Sequence, residues 1–296
     1  MPIRILRAAA VVGHADSFSA RFSSGRTSGE KMKSTKDNRS EVSSVALPLA
    51  LFLSASAVFA LLYASNALVA ARPGIIVQFD VACAGFFSGF RTPALMGFFS
   101  IVTAFGYWGV VLAMATAVSI LLWLGRRSQY VVSLWIVLAG NQISVNVLKA
   151  IFARARPELA YYSESSYSFP SGHSAVSVAF FGFMMYLVTR ERIVAAGIAV
   201  TVGVLAILLI GMSRLVLDVH YLSDVLSGYL VGAVWALFGI WLVARGRSPA
   251  GAPSPVSQWR RSANFAVILA AALCVSLLAS NYQHNLVLLP VSGLTP

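Results

Sequence analysis

Charge is what this sequence has least of. Only 11% of its 296 residues are Asp, Glu, Lys or Arg, against about a quarter in a soluble globular domain, while 58% are hydrophobic. That balance excludes an ordinary soluble enzyme and points to an integral membrane protein. Carboxylates are the scarcer charge, 10 Asp and Glu against 22 Lys and Arg, and no group of them is spaced to hold Mg²⁺. Cysteine is limited to Cys83 and Cys274. Both stand in apolar surroundings without metal-ligand spacing, so they read as small apolar side chains and offer no zinc site. Internal repeats and strand periodicity are missing too, which leaves helices. The net charge of +12 does not argue for nucleic acid, because the cations sit in short loops between apolar runs.

What is present is a series of such runs. Residues 1–45 read as a disordered basic tail, rich in Arg, Lys and Ser and without chemistry of its own. Residues 46–70 form the first run long enough to span a bilayer, and Arg72-Pro73-Gly74 ends it. Residues 75–91 carry Gln78, Asp80 and Arg91 among apolar residues and read as a helix lying at the interface. The run opened by Pro93 is too long for one straight span. Gly106 divides it into a short interfacial helix and a span over 106–124. Further spans are predicted over 130–152, 171–188, 193–212 and 220–243, and a seventh over 263–280 after a Gly-, Pro- and Arg-rich linker. Asn141, Gln142, Ser144 and Asn146 in the third span either line a polar pocket or bond helix to helix.

The expected fold is therefore all-α: a polytopic transmembrane helical bundle of six core spans plus a seventh. Its parts are the tail (1–45), a membrane-embedded core (46–244), a cytoplasmic linker (245–262), and an accessory helix with a short tail (263–296). One side of the membrane receives the basic tail with Arg126, Arg127, Arg190, Arg192, Arg245, Arg247, Arg260 and Arg261. The positive-inside rule makes that side cytoplasmic. Lys149, Arg156, Arg214 and both histidine clusters fall on the other, extracytoplasmic side, and the bacterial inner membrane is the expected location.

Ionisable residues at a membrane boundary are costly and call for a function. Here they gather in three clusters: Lys149 with Arg156-Pro157, then Pro170-Ser171-Gly172-His173, then Ser213-Arg214 with His220 and Asp224. A phosphate group gives them one purpose. Lys149, Arg156 and Arg214 would clamp its oxygens. Ser171 and Gly172 open a helix, where a hydroxyl and backbone N–H groups can receive an anion, although Ser171 also reads as an ordinary N-cap. His220 and Asp224, four apart, share a face if a helix begins near His220. The carboxylate would then hold one imidazole nitrogen protonated and leave the other free to attack phosphorus. His173 is placed to protonate the leaving oxygen. Pro157 is expected to end the preceding helix after Arg156. Arg154 and Asp218 receive at most a supporting electrostatic role.

The order and spacing of these residues resemble the signature of the type-2 phosphatidic acid phosphatase superfamily: Lys, six residues, Arg-Pro; Pro-Ser-Gly-His; Ser-Arg, five residues, His, three residues, Asp. The resemblance implies a metal- and cofactor-independent membrane phosphatase acting through a phosphohistidine. Its catalytic residues would be His220, His173 and Asp224, and its phosphate-binding residues Lys149, Arg156, Ser171, Gly172 and Arg214. The implied partners are the bilayer and a lipid phosphate such as phosphatidic acid, phosphatidylglycerol phosphate or undecaprenyl diphosphate, with no nucleic acid. A lipid phosphotransferase and a non-catalytic lipid carrier on the same fold are the alternatives; oligomeric state is open.

Overall fold

A computed structural model describes Ala57 and residues 74–158, 160–245 and 258–284. The predicted tail, the first span apart from Ala57, residues 246–257 of the linker and residues 285–296 lie outside the described residues. Every regular element among those described is helical: α1 (Ile75–Ser88), α2 (Pro93–Ala104), α3 (Trp108–Leu124), α4 (Gln129–Phe152), α5 (Gly172–Arg190), α6 (Ala196–Val216), α7 (Leu222–Arg245) and α8 (Gln258–His284).

Four of these, α4 to α7, are long and apolar enough to cross a membrane; α2 and α3, bent by 46° at their junction, make a fifth if counted as one broken span. The break falls around Gly106, where the sequence divides. Thr92 caps α2 by accepting the Leu95 N–H at 3.3 Å, and Pro93 at the first helical position needs no N–H partner there. The seventh predicted run lies within α8, whose first residues take in 258–262 of the expected linker. That stretch is helical rather than irregular, as an Arg-containing lead into an apolar run can be.

α7 is central, packing against both α4 and α5. Its approach to α5 depends on Gly228 and Gly232, four apart on one face. A Cβ at Gly228 would stand 2.5 Å from the Ser171 carbonyl oxygen, and one at Gly232 would stand 2.2 Å from that of Ala175. Backbones this close are what small residues permit between membrane helices. Ser171 N–H donates to the Asp224 carbonyl at 3.0 Å, so the starts of α5 and α7 are fastened together. A core of Leu134, Val137, Leu138, Val176, Phe180 and Phe183 fills the space below. At the other end of the bundle, Glu191 pairs with Arg127 at 3.1 Å and accepts the Tyr130 hydroxyl at 2.7 Å.

One expected stop and one expected start differ in a way that matters, although the span predicted over 130–152 ends where expected. α4 ends at Phe152, before Pro157 can act, because Ala153 takes a left-handed conformation (φ 43°). α7 starts at Leu222, so His220 stands on the loop before it rather than in its first turn.

Candidate active site

The C-terminal ends of α4 and α6 and the N-terminal ends of α5 and α7 meet at one end of the bundle, joined by the loop 153–171 and the turn 217–221. Lys149, Gly172, His173 and His220 line a cavity of about 260 Å³, together with Gly106, Tyr107, Trp108, Gln142, Asn146, Glu164 and Ser166. A neighbouring cavity of about 330 Å³ shares Tyr107, Glu164, Ser166 and His173 and adds Tyr162 and Tyr282. Both readings of the polar residues on α4 hold, at different positions: Gln142 and Asn146 face the cavity, while Ser144 accepts the Trp235 indole N–H at 3.0 Å across to α7.

His220 is buried, and its two nitrogens differ in surroundings. Arg156 Nη1 lies 3.1 Å from Nε2 and donates also to the Val219 carbonyl at 2.7 Å. A guanidinium can only donate, so Nε2 is the nitrogen with the lone pair and Nδ1 carries the proton. Nδ1 faces Asp224 Oδ2 at 3.4 Å and the Ser168 hydroxyl at 3.3 Å. The same Oδ2 accepts the Tyr221 N–H at 3.0 Å. Burial, with help from Arg156 and Arg214, lowers the His220 imidazole to about 4 against the raising effect of Asp224, which keeps it neutral. A neutral, oriented imidazole is what a nitrogen nucleophile requires.

His173 is the second histidine on the cavity wall, and its Nε2 is buried without a hydrogen-bond partner. Ser171 is the N-cap of α5. Its hydroxyl accepts the Ser174 N–H at 3.4 Å and the Ser174 hydroxyl at 3.1 Å, so its side chain serves the helix start while Gly172 lines the cavity. Arg214 has no exposed surface. It donates to Thr103 Oγ1 at 2.6 Å, to the Tyr162 hydroxyl and to Glu164. Lys149 Nζ reaches Ser166 Oγ at 3.1 Å and the Tyr167 carbonyl.

Several residues here carried no role in the sequence. Glu164 pairs with Arg156 and Arg214 at once. Burial pushes its carboxyl up, but the two guanidiniums outweigh burial and hold it well below the usual carboxylate range. Arg154 is more than a supporting charge: it bonds Asp224 Oδ1 at 2.6 Å, Ser223 Oγ at 2.7 Å and Asp80 at 2.8 Å. Asp218 pairs with Arg91 at 2.7 Å. Tyr282 of α8 stacks on Tyr107 and shares a hydroxyl contact of 3.0 Å with Tyr162, so the helix expected to be accessory supplies part of the cleft wall. Its signal was a lone Tyr after an apolar run, which has no specificity.

A family model for the PAP2 superfamily matches residues 130–248. An uncharacterized 22.5 kDa protein in the cps region of Klebsiella pneumoniae is 31% identical over 156 residues, 50% of this chain and 70% of that protein. This chain belongs to the PAP2 superfamily. Phosphatidylglycerophosphatase B of Bacillus subtilis (strain 168) is 33% identical over 102 residues, 33% of this chain, and the match spans half (50%) of that enzyme. The fold agrees. The crystal structure of a transmembrane PAP2-type phosphatidylglycerolphosphate phosphatase from Bacillus subtilis superposes with a TM-score of 0.56 at 22% identity, covering 64% of this chain and 93% of that one. The PAP2 match takes in all three motifs. α1, α2, α3 and α8 lie outside it, although Asp80 of α1, Tyr107 at the break between α2 and α3, and Tyr282 of α8 reach the site.

Proposed function

We propose that this PAP2 protein is an integral-membrane lipid phosphatase that hydrolyses a phosphomonoester or diphosphate of a lipid through a phosphohistidine on His220. The observation that carries the reading is the arrangement around that imidazole: Nε2 beside Arg156 at 3.1 Å, Nδ1 against Asp224, and His173 on the wall of the same cavity. His220 Nε2 attacks phosphorus as the P–O bond to the lipid breaks, and His173 gives its proton to the departing oxygen. Water then attacks the phosphohistidine, losing its proton to His173, and the P–N bond breaks to free His220 and orthophosphate. Lys149, Arg156 and Arg214 take up the charge on the phosphoryl oxygens. With three cations assigned to that task, the proposed chemistry uses no metal.

Cavities of about 260 and 330 Å³ support the binding of a phosphorylated head group, with the acyl or prenyl chains left in lipid. Phosphatidic acid, phosphatidylglycerol phosphate and undecaprenyl diphosphate are the candidate substrates. The basic loops support a cytoplasmic N-terminus and a site on the extracytoplasmic face of a bacterial inner membrane. A bundle of six spans with α8 as a seventh completes the proposal. Purified protein in detergent, offered this panel in the presence of EDTA, should release orthophosphate and leave an alkali-stable, acid-labile label on His220. Absence of turnover on every member, or dependence on added Mg²⁺, would reject the reading.

A further inference from the structure

One guanidinium in this site holds two carboxylates. Arg154 donates from Nη1 to Asp224 Oδ1 at 2.6 Å and from Nη2 to Asp80 Oδ2 at 2.8 Å. Asp80 is 1% exposed and comes from α1, a helix outside the family match. Its carboxylate also receives the Ser223 N–H at 2.8 Å and the Ser223 hydroxyl at 2.6 Å, while Arg154 donates to that hydroxyl at 2.7 Å. The Arg154 guanidinium lies over the Tyr221 ring, 4.0 Å from its centre. The loop carrying Arg154 is itself pinned, since its carbonyl accepts the Ser168 N–H at 2.9 Å.

We infer that Asp80 and Arg154 are positioning residues for the phosphoryl-accepting step, Asp80 holding Arg154 and Arg154 holding the carboxylate that orients His220. This rests on the phosphohistidine reading of the site. The argument is one of charge. Arg154 and Asp224 alone form a neutral pair, and the guanidinium would draw electron density from the carboxylate that must face Nδ1. Adding Asp80 gives the trio a net charge of −1. When Nε2 bonds to phosphorus, the imidazole ring becomes cationic, and the trio supplies its counter-charge from buried carboxylates, where little solvent screens it. The bond directions fit this division. Arg154 takes Oδ1 of Asp224, leaving Oδ2 for Nδ1, Ser168 and the Tyr221 N–H.

Asp80 also caps the first turn of α7 through Ser223, and a purely structural role would end there. Loss of a cap lowers stability but leaves the turnover of folded enzyme unchanged. The test is therefore kinetic, on full-length protein in detergent micelles with phosphatidic acid as substrate. Asp80→Asn is expected to lower kcat by about 10–100-fold, the range for partners that orient a reacting group. KM and inhibition by orthophosphate should stay within about twofold, since the phosphate clamp is untouched. Labelling of His220 should slow by the same factor as kcat. The double variant Asp80→Asn/Asp224→Asn should be no slower than Asp224→Asn alone, because residues acting through one another are not additive.

Wild-type kcat in Asp80→Asn, or multiplied losses in the double variant, would overturn the inference. If Asp80→Asn does not fold, Arg154→Lys keeps the charge and the Asp80–Ser223 cap but loses the fork that spans two carboxylates. It should show the same fall in kcat at unchanged KM, and wild-type kcat there would overturn the relay as well. A wild-type enzyme that turns over without labelling His220 would instead reject the phosphohistidine reading.

Discussion

Glu164 is paired with Arg214, a guanidinium with no exposed surface, and the same carboxylate reaches Arg156. In the proposed function both arginines receive the phosphate, and on that proposal a carboxylate of this protein competes with the substrate oxygens. A phosphate dianion can displace it, because it brings more charge and more acceptors to the same donors. Glu164→Gln removes the competitor's charge while keeping its shape. Inhibition by orthophosphate should tighten by about tenfold, the factor carried by ~1.4 kcal/mol, with KM for phosphatidic acid falling in parallel. Weaker inhibition in the variant would mean that Glu164 arranges the arginines rather than competing with phosphate.

The unpartnered Nε2 of His173 on the cavity wall fits a group that acts on a bound substrate. His173→Ala should then depend on the leaving group. A lipid alkoxide needs the proton, and the loss should be about 10²–10⁴-fold, the usual worth of general acid catalysis. p-Nitrophenolate departs without one and should lose far less in forming the phosphoenzyme. Equal losses on both substrates, measured as rates of labelling His220, would remove His173 from the role of acid.

The three clusters were legible because each is a short run with fixed internal spacing, and the ends of four helices bring them together. The break around Gly106 was legible for a similar reason, as one residue dividing an overlong run. What escaped notice has no local signature. Asp80 looks like one polar residue on an apolar helix, and it becomes a partner of Arg154 only when α1 lies beside the start of α7. Glu164 sits in a Tyr- and Ser-rich loop whose path depends on Ser168 bonding back to Arg154. The apolar run gave the end of the span at Phe152, but not what stops the helix there: Pro157 was expected to end it after Arg156, whereas left-handed Ala153, a non-glycine residue, ends it four residues earlier.

Acid should destabilise this protein before it protonates His220, the proposed nucleophile, in the folded state. Buried His220 is lowered to about 4, whereas an unfolded chain protonates its histidine near pH 6.5. Between those values the unfolded state binds the proton and the folded state does not, so stability falls as pH drops through that window, by on the order of 3 kcal/mol. Glu164 acts in the same direction further down. Its folded carboxyl is held low by Arg214 and Arg156 against the effect of burial, so its contribution is present above the unfolded value and lost as pH falls below it. Tm in detergent should decrease from pH 7 to pH 4.5, and His220→Gln should flatten the upper part of that slope. An unchanged slope in the variant would show that other groups carry the acid sensitivity.

The close approach of α5 and α7 gives a test of how the site is assembled. Gly232 faces the Ala175 carbonyl, and a Cβ there would meet it at 2.2 Å, against backbone that cannot rotate away. Gly232→Ala should therefore push the two helices apart. Overpacking of this kind costs about 1–3 kcal/mol, so Tm should fall. The added methyl touches no substrate. However, His173 begins α5 and Asp224 begins α7, and the bond from Ser171 N–H to the Asp224 carbonyl ties those ends together. Widening the interface should loosen that tie, lowering kcat and slowing the labelling of His220 in the protein that remains folded. Gly197→Ala is the control, because a Cβ at that position meets nothing within 4 Å. It should leave both Tm and kcat near wild type. If Gly232→Ala behaves like Gly197→Ala, the two helices do not set the distance between His173 and His220, the proposed acid and nucleophile.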